Sequence, residues 1–211
     1  SFGRINCCCN VTKDKNIDII LGTDRGFIHK FDTCSDSICY NITNTSASSD
    51  EKAIDSIAFW NSKIFFTKKE KQEEGLSVEY KVFSFDLSKP SEIEVIHEYK
   101  SYYNSSVLSE LENQYPKYEY SILKQQIERS RGRFSQTDSG LYYAVENNVF
   151  IFKGNSFYPI ELCDIPCTIG YKKFSDIIVS EPYMLINNDD SILAFFLSND
   201  ADHVVARYIN G

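Results

Sequence analysis

The sequence predicts an all-β fold, a β-propeller or part of one, with about four blades of four-stranded antiparallel sheet and a partly helical insertion. Three observations predict it. The chain carries fourteen Tyr and fifteen Phe among 211 residues, with 42% hydrophobic and 25% charged residues, a soluble composition biased towards residues that fit pleated strands. A strand, turn, strand unit recurs along it. Short apolar runs before or after these units bring them towards four strands in roughly 45 residues, the dimension of a propeller blade.

The first unit pairs "IDIILGT" with "FIHKFDT" across Asp24-Arg25-Gly26. It returns in "GLYYAVENNVFIFKGN" at 140–155, turning at Glu146-Asn147-Asn148, and in "YMLINNDDSILAFFLSND" at 183–200, turning at Asp189-Asp190. Asn, Asp and Gly accept the positive φ that tight hairpins require. A fourth, stretched copy joins "SKIFFTKK" at 62–69 to "VEYKVFSFDLSKP" at 78–90 through the hydrophilic "EKQEEGLS". The runs "RINCCCNV", "AIDSIAFW" and "IGYKKFSDIIVS" precede three of the hairpins, while "EIEVIHEYK" and "SFYPIEL" follow two of them.

These units divide residues 1–211, read as a single domain, into approximate blades 1–52, 53–100, 133–166 and 167–211. Turn centres near residues 25, 73, 147 and 190 leave one gap too long, about 74 residues where the others are about 48 and 43. The surplus at 101–132 has Ser106 as a candidate N-cap, helix formers on both sides of Pro116 and no strand alternation. It is expected to be an inserted, partly helical excursion or a junction where blades are missing. The polar segment 40–52, "YNITNTSASSDEK", is expected to be a flexible loop.

A net charge of -8 and a pI near 5.0 oppose a phosphate backbone, so nucleic acid is not an expected partner. The basic run "ERSRGR" at 128–133 is read as a solvated turn or helix end. No run of some 18 apolar residues and no secretory leader is visible. Ser1 at the start, rather than Met, leads to the expectation that the N-terminus lies upstream.

Seven cysteines is an odd number. Consecutive Cys7, Cys8 and Cys9 alternate faces if extended, which suits partly buried thiols and a reducing compartment better than a disulfide framework. Cys34 with Cys39 and Cys163 with Cys167 are spaced more widely than a zinc knuckle requires, without an adjacent His. Four glycosylation acceptors, at Asn10, Asn41, Asn44 and Asn104, are a mild excess over chance.

Chemistry finds few candidates. Gly22 and Gly26 are not followed by the Lys-Ser/Thr pair of a phosphate loop, so a hairpin turn accounts for them. His29 and His97 lie in strand patterns, and His203 in a polar turn. Asp189, Asp190, Asn199, Asp200 and Asp202 miss the spacing of a calcium loop. There is no Gly-x-Ser-x-Gly elbow, and thirty scattered acids single out no glycosidase pair. Catalytic, cofactor and metal residues are therefore expected to be none, and the chain is not read as an enzyme.

In order along the chain, "INCCCNVTKDKNIDIILGTDRGFIHKFD", "SKIFFTKKEKQEEGLSVEYKVFSFDLSKP" and "RFSQTDSGLYYAVENNVFIF" resemble successive blades of one family. That family is the N-terminal propeller of the eleventh class C vacuolar protein sorting subunits, core scaffolds of the HOPS and CORVET tethering complexes. Its members carry further blades where this chain has only 101–132, and about four blades close a ring only if it is small or completed elsewhere. The resemblance implies a non-enzymatic protein-protein interaction scaffold in vesicle tethering and protein transport. It also implies a cytoplasmic location, peripheral on endosomal or vacuolar membranes through partners, which are the other subunits of a tethering complex. The α-solenoid and RING that follow in the family are not in this chain, so the RING zinc ligands map onto none of its residues. The alternatives are an extracellular glycosylated recognition or adhesion domain, and a propeller hydrolase with paired carboxylates in the central channel.

Overall fold

The computed structural model describes residues 3–13, 16–32, 37–43, 53–71, 78–101, 113, 131–166, 174–188, 191–200 and 203–209. Most of the chain is strand, because apolar and polar residues alternate over runs of five to nine residues and turn residues interrupt them. The first sheet holds β1 (Ile5–Lys13), β2 (Asn16–Thr23), β3 (Phe27–Asp32) and β4 (Ser37–Thr43). The second holds β5 (Ser56–Trp60), β6 (Lys63–Lys71), β7 (Val78–Asp86) and β8 (Glu94–Ser101). The third holds β9 (Arg133–Gln136), β10 (Leu141–Val145), β11 (Asn148–Lys153) and β12 (Ser156–Pro159). In all three the strands pair antiparallel in sequence order.

The fourth sheet has five strands: β14 (Asp176–Ser180), β15 (Tyr183–Asn187), β16 (Ile192–Asp200), β17 (His203–Tyr208) and, parallel to β17 at its edge, β13 (Glu161–Cys163). "SFYPIEL" is thus shared between two sheets. Its first half is β12, and after Pro159 the chain crosses to the fourth sheet. The edge of β17 accepts it through main-chain pairing, which needs no sequence signature.

Successive first strands lie side by side, β1 on β5, β5 on β9 and β9 on β14. The sheets therefore radiate from a common line of inner strands, as propeller blades do. One apolar core fills each junction. Val11, Ile20 and Ile28 meet Ile54, Ile64 and Phe66 between the first and second blades. Phe65 and Tyr80 meet Tyr143, Phe150 and Phe152 between the second and third, where the Phe65 and Phe152 rings stand edge to face at 5.0 Å. Tyr142 and Ile151 meet Val179, Met184 and Phe195 between the third and fourth. A strand in a middle blade is buried on both faces: β10 reads buried at all five positions.

Two local expectations need correction. Residues 40–43 of the expected loop belong to β4. An outermost strand needs partners on one side only, so a polar sequence suffices there. His203 is not in a turn but opens β17 opposite Asp200. The third hairpin turns at Glu146-Asn147 within the expected stretch, with the positive φ (53°) on Glu146 and Asn148 already in β11. The conformation is held because Tyr80 Oη donates to Glu146 Oε1 (3.3 Å) and Phe174 N donates to the Glu146 carbonyl (2.6 Å). The excursion at 101–132 falls outside the described residues except at its two ends and Asn113, as do the turn Asp189-Asp190 and residues 44–52.

Candidate functional site

The blade junctions collect the polar chemistry of the molecule. Where each inner strand begins, a side chain reaches the neighbouring blade. Cys7 Sγ donates to the Ile54 carbonyl (3.6 Å), Phe134 N to Ser56 Oγ (3.2 Å) and Val179 N to Ser135 Oγ (2.8 Å). A main-chain bond repeats the theme at the first junction, from Ile54 N to the Thr23 carbonyl at 2.9 Å.

Asp55, just ahead of β5, is the most enclosed carboxylate among the described residues, its side chain only 3% exposed. Its Oδ1 meets Arg131 Nε at 3.1 Å, and Arg133 Nη1 donates to its carbonyl at 2.5 Å. Burial pushes the carboxyl up to about 6, against the pull of Arg131, Arg133, Lys69 and Lys68. The run "ERSRGR" is therefore corrected. Arg131 and Arg133 are not a solvated turn but pin the third blade to the second.

Gly22 lies within β2 rather than in a turn. A Cβ there would come within 2.7 Å of both Cys7 Sγ and Ile54 Cγ2. Gly26 is the turn residue, at φ 80°. Sequence reasoning missed this division of labour, since only Ile54, some thirty residues on, defines what Gly22 must avoid.

A groove runs between the third and fourth blades. Its two adjoining hollows, of about 540 and 470 Å³, share Ile151, Lys153 and Val204. Glu181 sits on one wall, where its Oε1 accepts from Tyr142 Oη (2.5 Å) and Thr137 Oγ1 (3.1 Å). These bonds, the tyrosine's first, hold its carboxyl below the ordinary value. His203 lines the other end beside Tyr158. Among the described lining residues the groove offers shape, the Glu181 carboxylate, the Lys153 ammonium and the His203 ring.

The remaining candidates are scattered. His29 is buried in β3 against Phe27. His97 lies among Tyr143, Phe150 and Phe157, and burial lowers its pKa. Cys7 and Cys9 pack into the first junction while Cys8 faces out, the alternation expected of a strand. Burial pushes both inward thiols up to about 12. Cys163 is free in β13, and the side chains of Cys34, Cys39 and Cys167 lie outside the described residues. Asn10 is exposed in β1, and nothing is described of the side chains of Asn41, Asn44 and Asn104. Asn199 and Asp200 are in β16, and Asp202 is outside the described residues. Among the described residues no three of His, Cys, Asp and Glu come together to hold a metal. The described inner strands carry a single carboxylate, Asp176, so no carboxylate pair lines the channel among them. No helix among the described residues is long and apolar enough to cross a membrane.

With this geometry the chain is an all-β protein of the β-propeller class. It is similar to solved structures at very low identity. BamB from Moraxella catarrhalis matches at a TM-score of 0.50 and 11% identity, over 98% of this chain and 50% of that one. A chain of ctPRC2 in complex with H3K27me3 and H3K27M matches at 0.51 and 8%, over 93% and 37%. The Cps50 (Swd1) β-propeller domain of Myceliophteria thermophila aligns over 92% and 54%, at 0.49 and 10%. This chain thus spans about a third to a half of these three chains. No family model matches the sequence, and no curated protein matches it either.

Proposed function

We propose that the chain is a protein-protein interaction scaffold, part of a propeller in a vacuolar protein sorting tethering-complex subunit acting in endosomal and vacuolar vesicle tethering. The observation that carries the scaffold reading is the blade series itself. Several of its polar side chains join neighbouring blades, and an open groove between the third and fourth is left for partners. The tethering assignment rests on the order of the three segments that resemble the class C vacuolar protein sorting propeller. On this reading the partners are other tethering subunits, the location is the cytoplasmic face of endosomal or vacuolar membranes, and no cofactor is used. The acidic balance shapes encounter rates rather than chemistry.

Affinity purification of the tagged chain from cells at low salt tests this. Recovery of HOPS or CORVET subunits is expected. Recovery of none of them removes the tethering assignment. The extracellular reading keeps one supporting observation, the exposure of Asn10 within its acceptor triplet. Mass spectrometry of native protein decides it, since unmodified Asn10, Asn41, Asn44 and Asn104 with free thiols would end it.

A further inference from the structure

The junction between the third and fourth blades is only partly filled. Ile151, Leu197 and Val204 belong to its apolar core, and the same three side chains line the groove beside it. The two hollows form one elongated channel, because Ile151, Lys153 and Val204 border both. Glu181 borders the smaller hollow and Tyr158 with His203 the larger, so Lys153 stands between the two ends. Tyr158 pairs with Ile151 across β11 and β12 and shares its face. Ile151 is buried there, yet Tyr158 is 53% exposed.

The charges of the channel are unspent. Tyr142 and Thr137 hold the Glu181 carboxylate through their hydroxyls, which fixes its place and keeps it ionised. Lys153 and Glu181 are both exposed, and no ion pair joins either of them to another described residue. Two opposite charges thus border one hollow of about 470 Å³ without pairing.

We propose that this groove binds an extended peptide segment of a partner protein, with a basic side chain for Glu181, an acidic one for Lys153 and an aromatic one for Tyr158, in that order along the channel. Charge complementarity selects this occupant. A carboxylate held by hydroxyls takes a cation, an ammonium in mid-channel takes an anion, and an uncovered ring takes another ring. A single small ion satisfies one of the three. The elongation of the channel selects an extended chain, whose successive side chains point to opposite sides, so that alternate residues reach the apolar lining. Ser139, Ser198 and Asn199 offer hydroxyl and amide groups to its main chain. The inference rests on the scaffold reading and is independent of the tethering assignment.

The probe is a set of fluorescein-labelled peptides of about ten residues that carry Arg, Glu and Trp in this order or its reverse, spaced by Ser and Val. Fluorescence anisotropy with the 211-residue chain should show saturable binding of at least one of them, with a Kd below about 100 μM. Glu181→Gln and Lys153→Met keep the side-chain size and should each weaken it about threefold or more, with an unchanged circular dichroism spectrum. Lys89→Met, outside the groove, should leave it unchanged. Tyr158→Ser should weaken only peptides that carry the Trp. Replacing the peptide's Arg by Gln should remove most of the Glu181→Gln effect, because the pair is then already broken. Absence of saturable binding across the set overturns the proposal, as does binding indifferent to Glu181→Gln and Lys153→Met or equally weakened by Lys89→Met. Additive losses in the Arg and Glu181 cycle overturn that pairing, and displacement of the peptide by an equal concentration of free arginine or glutamate makes the occupant a small ion and overturns the peptide. Recovery of tethering subunits from cells without peptide binding strikes the groove alone, whereas peptide binding without those subunits strikes the tethering assignment alone.

Discussion

The hydroxyl of Tyr142 donates to Glu181 Oε1 at 2.5 Å, joining the third blade to the turn that opens the fourth blade's first hairpin. Tyr142→Phe should cost about 1 kcal/mol, below the usual range for a hydrogen bond to a charged group, because Glu181 is largely solvated. The bond holds the Glu181 carboxyl below its ordinary 4.5. Its contribution is thus present above 4.5 and lost as pH falls through the lowered value. Urea unfolding of both proteins at neutral and at strongly acidic pH checks this: the difference should close in acid.

Gly22→Ala should destabilise the first junction by about 1–3 kcal/mol, the range for overpacking, since its Cβ would sit 2.7 Å from Ile54 Cγ2 and Cys7 Sγ. Ile54→Ala alone leaves a cavity costing about 2–5 kcal/mol. Combining the two should cost less than their sum, because the second change removes the Ile54 Cγ2 part of the clash and opens room beside the new methyl. Strict additivity in denaturant melts would refute the contact.

Asp55→Asn should gain on the wild type as pH rises. The folded carboxyl titrates near about 6 instead of 3.8 because of burial. Its stabilisation is therefore complete below 3.8 and lost as pH rises through about 6, a swing of about 3 kcal/mol. Thermal melts across that window should show wild type and variant diverging. Arg131→Ala, by removing the opposing charge, should steepen the wild-type loss, and parallel profiles for all three proteins would contradict the buried pairing.

His97 carries the opposite dependence. Burial lowers its pKa from 6.5, so the neutral ring's contribution is present above 6.5 and is lost as pH falls from there through the lowered value. His97→Phe should flatten this acid limb while keeping the ring contacts to Phe150 and Phe157. A limb of unchanged slope in the variant assigns the dependence elsewhere.

Alkylation should separate three adjacent thiols. Cys8 is exposed, while burial pushes Cys7 and Cys9 up to about 12. In native protein at mildly alkaline pH, Cys8 should react at least about tenfold faster than its neighbours, thiolate and access acting together. Fragment-ion mass spectrometry resolves the positions, and the three rates should converge in denaturant.

Most strands were legible because alternation is a local property: "IDIILGT" and "FIHKFDT" became β2 and β3, joined at the expected Asp24-Arg25-Gly26 turn. The glycine at 26 was legible for the same reason. The glycine at 22 was not, because the atoms that exclude a side chain there belong to Cys7 and Ile54. Likewise "ERSRGR" reads as a charged surface run until Asp55, more than seventy residues earlier in sequence, is brought beneath it.

By itself, then, the sequence determined the β class, the hairpins and the two faces of each strand, since a period of two residues and turn chemistry act over a few neighbours. Only the tertiary structure decided which face each blade buries, that Glu161–Cys163 joins the fourth sheet instead of the third, and that Ile178, Tyr183 and Phe196 stay exposed on one face of the fourth. Those outcomes depend on main-chain pairing and apolar contacts between residues far apart in the chain, and no local pattern records a partner that folding alone brings near.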